Sequence, residues 1–157
     1  MTNIKAIISV ILILAGLTSC QTDIYYADTH EFRGYRWAKT DTVCFQLPET
    51  FAATTVEPII NIRTDNAYAY RNLHLLTTVE TDGHILHADT IHFEIYDKNG
   101  YPKGKGFPLI EQEKIRPVID IDSASAPQIR IIQLMPDTLT EGITSVGLQL
   151  KRIESRE

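Results

Sequence analysis

Along most of this chain apolar and polar residues alternate with a period of two. Successive strand side chains point to opposite faces, so the alternation predicts β-strands. Val43, Phe45 and Leu47 share one face of a first strand over 41–47, closed by Pro48. Leu73, Leu75, Thr77 and Val79 form a second set, and Ile91, Phe93 and Ile95 a third. Val146, Leu148 and Leu150 form a last one, where Gly147, Gln149 and Lys151 predict a wet opposite face. In 129–135, Ile131 and Gln133 share one face while Ile132 and Leu134 share the other, which predicts a central strand. The segment 55–64 alternates at Ile60 and Ile62 but contains Pro58, which lacks a ladder donor and predicts an edge position or a late start.

The connections fit the same picture. Asp82-Gly83 predicts a two-residue hairpin, because both turn positions favour positive φ. The returning strand starts at His84, with a kink expected at Asp89-Thr90. Asp97-Lys98-Asn99-Gly100 is a second turn, and 101–107, with Pro102, Gly104 and Gly106, reads as an irregular loop. A short helical turn is expected only at Glu111–Lys114; a strand over 115–121, a small-residue loop over 123–127 and a turn over 136–142 follow. No stretch carries the i, i+3, i+4, i+7 stripe of an amphipathic helix. The expected fold is all-β, an antiparallel two-sheet β-sandwich of about seven or eight strands. A β-barrel is the alternative.

The N-terminus departs from the alternation. Lys5 is the only charged residue among the first twenty and precedes the apolar run from Ile7. This is the layout of a secretory signal, and the run is shorter than the roughly 20 apolar residues of a membrane span. Leu17-Thr18-Ser19-Cys20 then reads as a bacterial lipobox. The Cys20 thiol can take a diacylglyceryl group as a thioether, and small residues at 18 and 19 admit the peptidase. Acyl chains add about 0.8 kcal/mol per buried CH₂, so two or three make release negligible. The expected organisation is a lipoprotein signal peptide over 1–19, a lipidated tether over 20–30 and one β-sandwich domain over 31–157. Gln21 after the cysteine is not an inner-membrane retention aspartate, and Asp23 stands without clustered acids. The expected location is therefore the outer membrane, facing the periplasm.

Lipidation also changes the cysteine arithmetic. The chain has two cysteines; with Cys20 acylated, Cys44 has no disulfide partner and is expected as a small packed thiol. The net charge of −5 and the scattered basic residues exclude a nucleic-acid stripe.

Candidate chemistry is sparse. His84, His87, Asp89 and His92 are close in sequence, but only His87 and Asp89 share a regular strand face at short range. No metal site and no cofactor are expected. Asp120 and Asp122 share a face that reads as a solvated one. No Gly-x-Ser-x-Gly elbow or phosphate loop is present. Carboxylates brought together from separate strands would make a hydrolase, and nothing in the spacing points to them. Trp37, Tyr68, Tyr70 and Tyr101 form a candidate interaction surface for a partner protein or sugar, with core and loop packing as the bland reading.

Several stretches carry a family resemblance. They are Tyr70-Arg71-Asn72-Leu73, then Asp89-Thr90-Ile91 with Asp97, Gly100, Gly104 and Gly106. Gln133-Leu134-Met135 follows, with Leu139, Gly142-Ile143 and Val146-Gly147-Leu148. In this order, behind a lipobox, the chain resembles the gliding motility lipoprotein GldH family of Bacteroidetes-type bacteria. It departs at Tyr101-Pro102, where the family often has a tryptophan, and at Pro136, where it often has an arginine. The resemblance implies a non-enzymatic envelope lipoprotein supporting the gliding and type IX secretion machinery, with envelope proteins as partners. An envelope carbohydrate-binding module is the alternative function.

Overall fold

The computed structural model describes residues 23–48, 54–121 and 127–153. Its strands are β1 (Ile24–Glu31), β2 (Arg36–Ala38), β3 (Val43–Gln46), β4 (Thr54–Thr64), β5 (Asn72–Thr81) and β6 (His84–Glu94). They continue as β7 (Ile110–Ile115), β8 (Ile119–Ile121), β9 (Gln128–Gln133), β10 (Leu139–Glu141) and β11 (Ile143–Arg152). The front sheet has the order β1-β11-β4-β7, with β8 also on β4; the back sheet has the order β3-β9-β5-β6. β2 and β10 form a separate two-stranded ribbon. Every pairing is antiparallel, and the sheets do not close into a barrel. The fold is the expected β-sandwich.

The alternation fills the space between the sheets. β4 contributes Val56, Ile60 and Ile62, and β11 contributes Val146, Leu148 and Leu150. The back sheet answers with Val43, Phe45, Leu73, Leu75, Ile91, Phe93, Ile129 and Ile131, all buried. Leu73 lies opposite Phe93 and Leu75 opposite Ile91, so each cross-strand pair presents one apolar step to the core. The hairpin at Asp82-Gly83 forms as expected, with φ of 49° and 78°. β9 lies inside its sheet, between β3 and β5.

Several expectations need correction. The turn expected over 136–142 contains the short strand β10, paired with β2. The strand expected over 115–121 is broken between Ile115 and Ile119. Residues from Ile24 onward are not tether: β1 pairs with β11 from Ile24–Lys151 to Glu31–Ser145, so the domain begins well before residue 31. Glu111–Lys114 is not helical, because β7 pairs with β4 over this stretch and the ladder overrides local preference. β4 is not an edge strand. Pro58 fits because β7 ends at Ile115 and β8 begins at Ile119, leaving a gap where its carbonyl accepts from Arg116 N–H. The missing proline donor faces that gap. β6 runs through Asp89-Thr90 in register, and its irregularity lies earlier, where Val79 pairs with His87 but Glu80 with Ile85, leaving Leu86 bulged. The second face of β11 is not wet at Ser145 and Gly147, which are buried. A Cβ on Gly147 would stand 3.0 Å from Asn61 Oδ1 and 3.2 Å from Thr29 Oγ1, so neighbouring side chains cover that face.

The loop expected at 123–127 is described only from Pro127, and the lipobox and Cys20 lie outside the described residues.

Candidate functional site

The sandwich has two ends. At one, β4 ends at Thr64, β11 begins at Ile143, and β5 begins where β6 ends, Asn72 opposite Glu94. This distal pole holds most of the residues singled out from sequence, and it packs two of the four aromatic candidates inward. Trp37 is fully buried, stacks on Phe32 at 4.8 Å and donates from Nε1 to the Asp41 carbonyl at 2.8 Å. Tyr68 is buried too, and its hydroxyl donates to the Asn72 carbonyl at 2.8 Å. Burial pushes the Tyr68 hydroxyl above its ordinary value. The polar ends of both rings are satisfied inside, so neither ring serves a surface. Tyr70 is half-buried; its hydroxyl donates to Asp137, and that bond raises its pKa. Tyr101 alone of the four is largely exposed, at 69%.

Tyr101 stands on the long connection between β6 and β7, and local chemistry pins it. Asp97 Oδ1 accepts from Asn99 N–H at 2.7 Å and Tyr101 N–H at 2.9 Å, and Gly100 takes φ of 83°. Tyr96 bridges Pro102, and Lys105 exchanges two backbone hydrogen bonds with Glu111 at 2.8 and 2.9 Å. The loop therefore lies flat on β7. A Cβ on Gly104 would meet Ile110 Cγ2 at 2.5 Å and the Glu111 carbonyl at 2.6 Å. Phe107 stands on the same loop, 94% exposed.

Beneath this loop runs an open groove of about 570 Å³, lined by Glu94, Lys103, Lys105, Glu111, Glu113 and Lys114. Glu94 anchors it. Arg71 Nη2 lies 2.6 Å from one Glu94 oxygen and Lys103 Nζ 2.5 Å from the other. These hydrogen bonds from Arg71 and then Lys103 pull the carboxyl down to about 2. Glu111 pairs with Arg63 at 3.0 Å. The groove offers mixed charge at fixed positions, suited to a polar, charged partner surface.

The remaining candidates separate. Among the described residues no three of His, Cys, Asp and Glu come together to hold a metal ion. Asp89 pairs with Arg116, and His92 Nδ1 lies 3.2 Å from His74 Nδ1 across the β5–β6 ladder. Asp120 accepts from Thr55 Oγ1 at 2.7 Å, while Asp122 lies outside the described residues. Cys44 is exposed, not packed. Its position between buried Val43 and Phe45 already placed it on the outer face. Phe107 and the Arg71–Glu94–Lys103 cluster were missed. The first had no periodic context, and the second joins residues far apart in sequence.

Fold and groove together define the class: a small antiparallel β-sandwich domain with a pinned, aromatic-tipped loop over a charged surface groove. The model of the GldH lipoprotein family matches residues 24–150, and the chain belongs to that family. It is 28% identical to the gliding motility lipoprotein GldH of Flavobacterium johnsoniae, over 90% of this chain and 94% of that one. It is 27% identical to a gliding motility lipoprotein GldH homolog of Christiangramia forsetii, over 83% of each. Among solved structures, the Eiger TNF of S. frugiperda aligns over 83% of this chain and 94% of that one. At 7% identity and a TM-score of 0.40, nothing is carried over from it.

Proposed function

We propose that this chain is a lipid-anchored, non-enzymatic envelope protein that supports assembly of the gliding motility and type IX secretion machinery. Cys20 carries the acyl chains, and the domain stands on the periplasmic face of the outer membrane. It engages an envelope protein through the distal loop and groove. The observation that carries this reading is the loop itself: Tyr101 projects from a backbone held by Asp97, and Phe107 from one paired with β7 through Lys105 and Glu111. Exposed aromatics on a preorganised backbone lose little entropy when a partner covers them, which is how interface anchors are built. The membership in a lipoprotein family and the lipobox at Leu17–Cys20 support the anchor. Burial of Trp37 and Tyr68 weighs against the carbohydrate-binding alternative, which would use those rings.

The test is affinity purification of the tagged, lipidated protein from its own envelope, beside a Tyr101→Ala/Phe107→Ala variant. The proposal expects an envelope protein that co-purifies with the unaltered chain and is lost from the variant. Recovery of polysaccharide alone would overturn it. In parallel, Cys20→Ala is expected to leave the membrane fraction; a variant that stays membrane-bound like the unaltered chain contradicts the anchor.

A further inference from the structure

The opposite end of the sandwich poses a separate question. β1 begins there at Ile24, paired with Lys151, and the Asp23 carbonyl accepts from Arg152 N–H at 2.9 Å. Arg152 lies opposite Val56, and Val56 opposite Ile119. In the back sheet, Glu80 pairs with both Ile85 and Gln128. The two sheets meet close to this end around a small cavity whose walls include Pro58, Ile60, Val79, His87 and Ile129. The β5–β6 hairpin and the start of β1 therefore occupy one pole. Ile85 is 61% exposed there, Leu86 59% and Val118 49%. The bulge at Leu86 breaks the alternation that would have turned one of each adjacent pair of residues inward, and two large apolar side chains stand side by side at the hairpin.

We propose that this pole docks directly on the bilayer, with Ile85 and Leu86 entering the headgroup region and Val118 beside them. The inference rests on the lipid anchor at Cys20. Asp23 is already fixed to β11, so only three residue steps separate the domain from Cys20. At about 3.3–3.6 Å per extended residue that is about 10 Å, less than the domain's own width. The acyl chains thus hold this pole, and no other, against the membrane at high effective concentration. The exposed apolar residues lie where that constraint delivers them. Lys151 and Arg152 sit on the same rim, placed to meet anionic headgroups. Arg152 rests over the Tyr25 ring at 4.2 Å, which holds its stem against the domain.

The test uses full-length lipidated protein in vesicles of phosphatidylethanolamine and phosphatidylglycerol with brominated acyl chains. The chain has one tryptophan, Trp37, buried at the distal pole, which serves as an internal unquenched reference. In Leu86→Trp the new emission is expected to shift to the blue and lose most of its intensity to the brominated lipid. In Phe107→Trp the new emission is expected to stay red and unquenched. If the protein floats with the vesicles but Leu86→Trp is unquenched, docking is wrong and the anchor stands. A blue but unquenched signal overturns docking in favour of a second copy covering the hairpin. Equal quenching at 86 and 107 overturns it too, since the domain would then lie on its side. Protein that does not float at all overturns the anchor and, with it, the docking.

Discussion

The two poles of this sandwich are built on different principles. The distal pole is interlocked: Trp37 on Phe32, Tyr68 on the Asn72 carbonyl, and Met135 N–H donating to the side chain of buried Gln133 at 2.8 Å. Gly142, at φ of 81°, leaves so little room that a Cβ would stand 2.1 Å from the Tyr68 nitrogen. Among the described residues the proximal pole shows no comparable lock; its described features include a tight hairpin, exposed apolar residues and the first residues of β1. The stretches that carry the family resemblance concentrate at the distal pole. There Leu73, Gln133, Met135 and Ile143 are buried, and Gly142 meets a backbone. Much of that resemblance therefore records packing that holds one end rigid. The groove and loop lie on that rigid end, which suits a surface that must present fixed charges and aromatics to a partner.

The contrast can be broken most severely at Trp37. Trp37→Ala deletes a fully buried ring and its hydrogen bond and is expected to cost about 3–5 kcal/mol, read as a lower denaturant midpoint. Gly142→Ala comes next, at about 3 kcal/mol or more, since it combines a positive φ with a backbone clash. A Gly142→Ala midpoint within error of the unaltered chain would show that the distal lock is illusory.

A smaller, pH-dependent effect is expected at Glu94. Its folded-state pKa is held near 2 against an ordinary 4.5 by Arg71 and Lys103. A depressed carboxylate contributes stability that is fully present above its unfolded pKa and is lost as pH falls through the folded one. The stability difference between the unaltered chain and Glu94→Gln should therefore be constant near neutral pH and shrink as pH falls from 4.5 toward 2. A pH-independent difference would mean the cluster does not hold the charge. The smallest expected change is at the proximal hairpin: Leu86→Ser, at a site 59% exposed, should shift stability in solution by no more than about 0.5 kcal/mol. A larger loss would show that the hairpin residue is packed.

Much of the fold was legible because the core strands alternate cleanly and Asp82-Gly83 admits one common turn. β7 was not, since Glu111, Gln112, Glu113 and Lys114 carry no period and become a strand only by pairing with β4. β1 was hidden for a similar reason: it is a largely exposed edge strand, and Thr29, His30 and Glu31 need not be apolar there. The aromatic surface was half misread because Trp37 and Tyr68 stand in or beside irregular backbone, where no period tells inside from outside. Cys44 and Leu86 could have been placed better. The first sits between two inward residues of a regular strand, and the second breaks the alternation of its own strand, a signature of a bulge.

The central claim is that one pole meets lipid and the other meets protein. The most direct measurement is photocrosslinking in the native envelope, with a photoreactive amino acid placed in turn at Tyr101 and at Ile85. The account predicts a discrete protein adduct from position 101, and from position 85 label transferred to lipid with no protein adduct. A protein adduct at 85 together with none at 101 would contradict it.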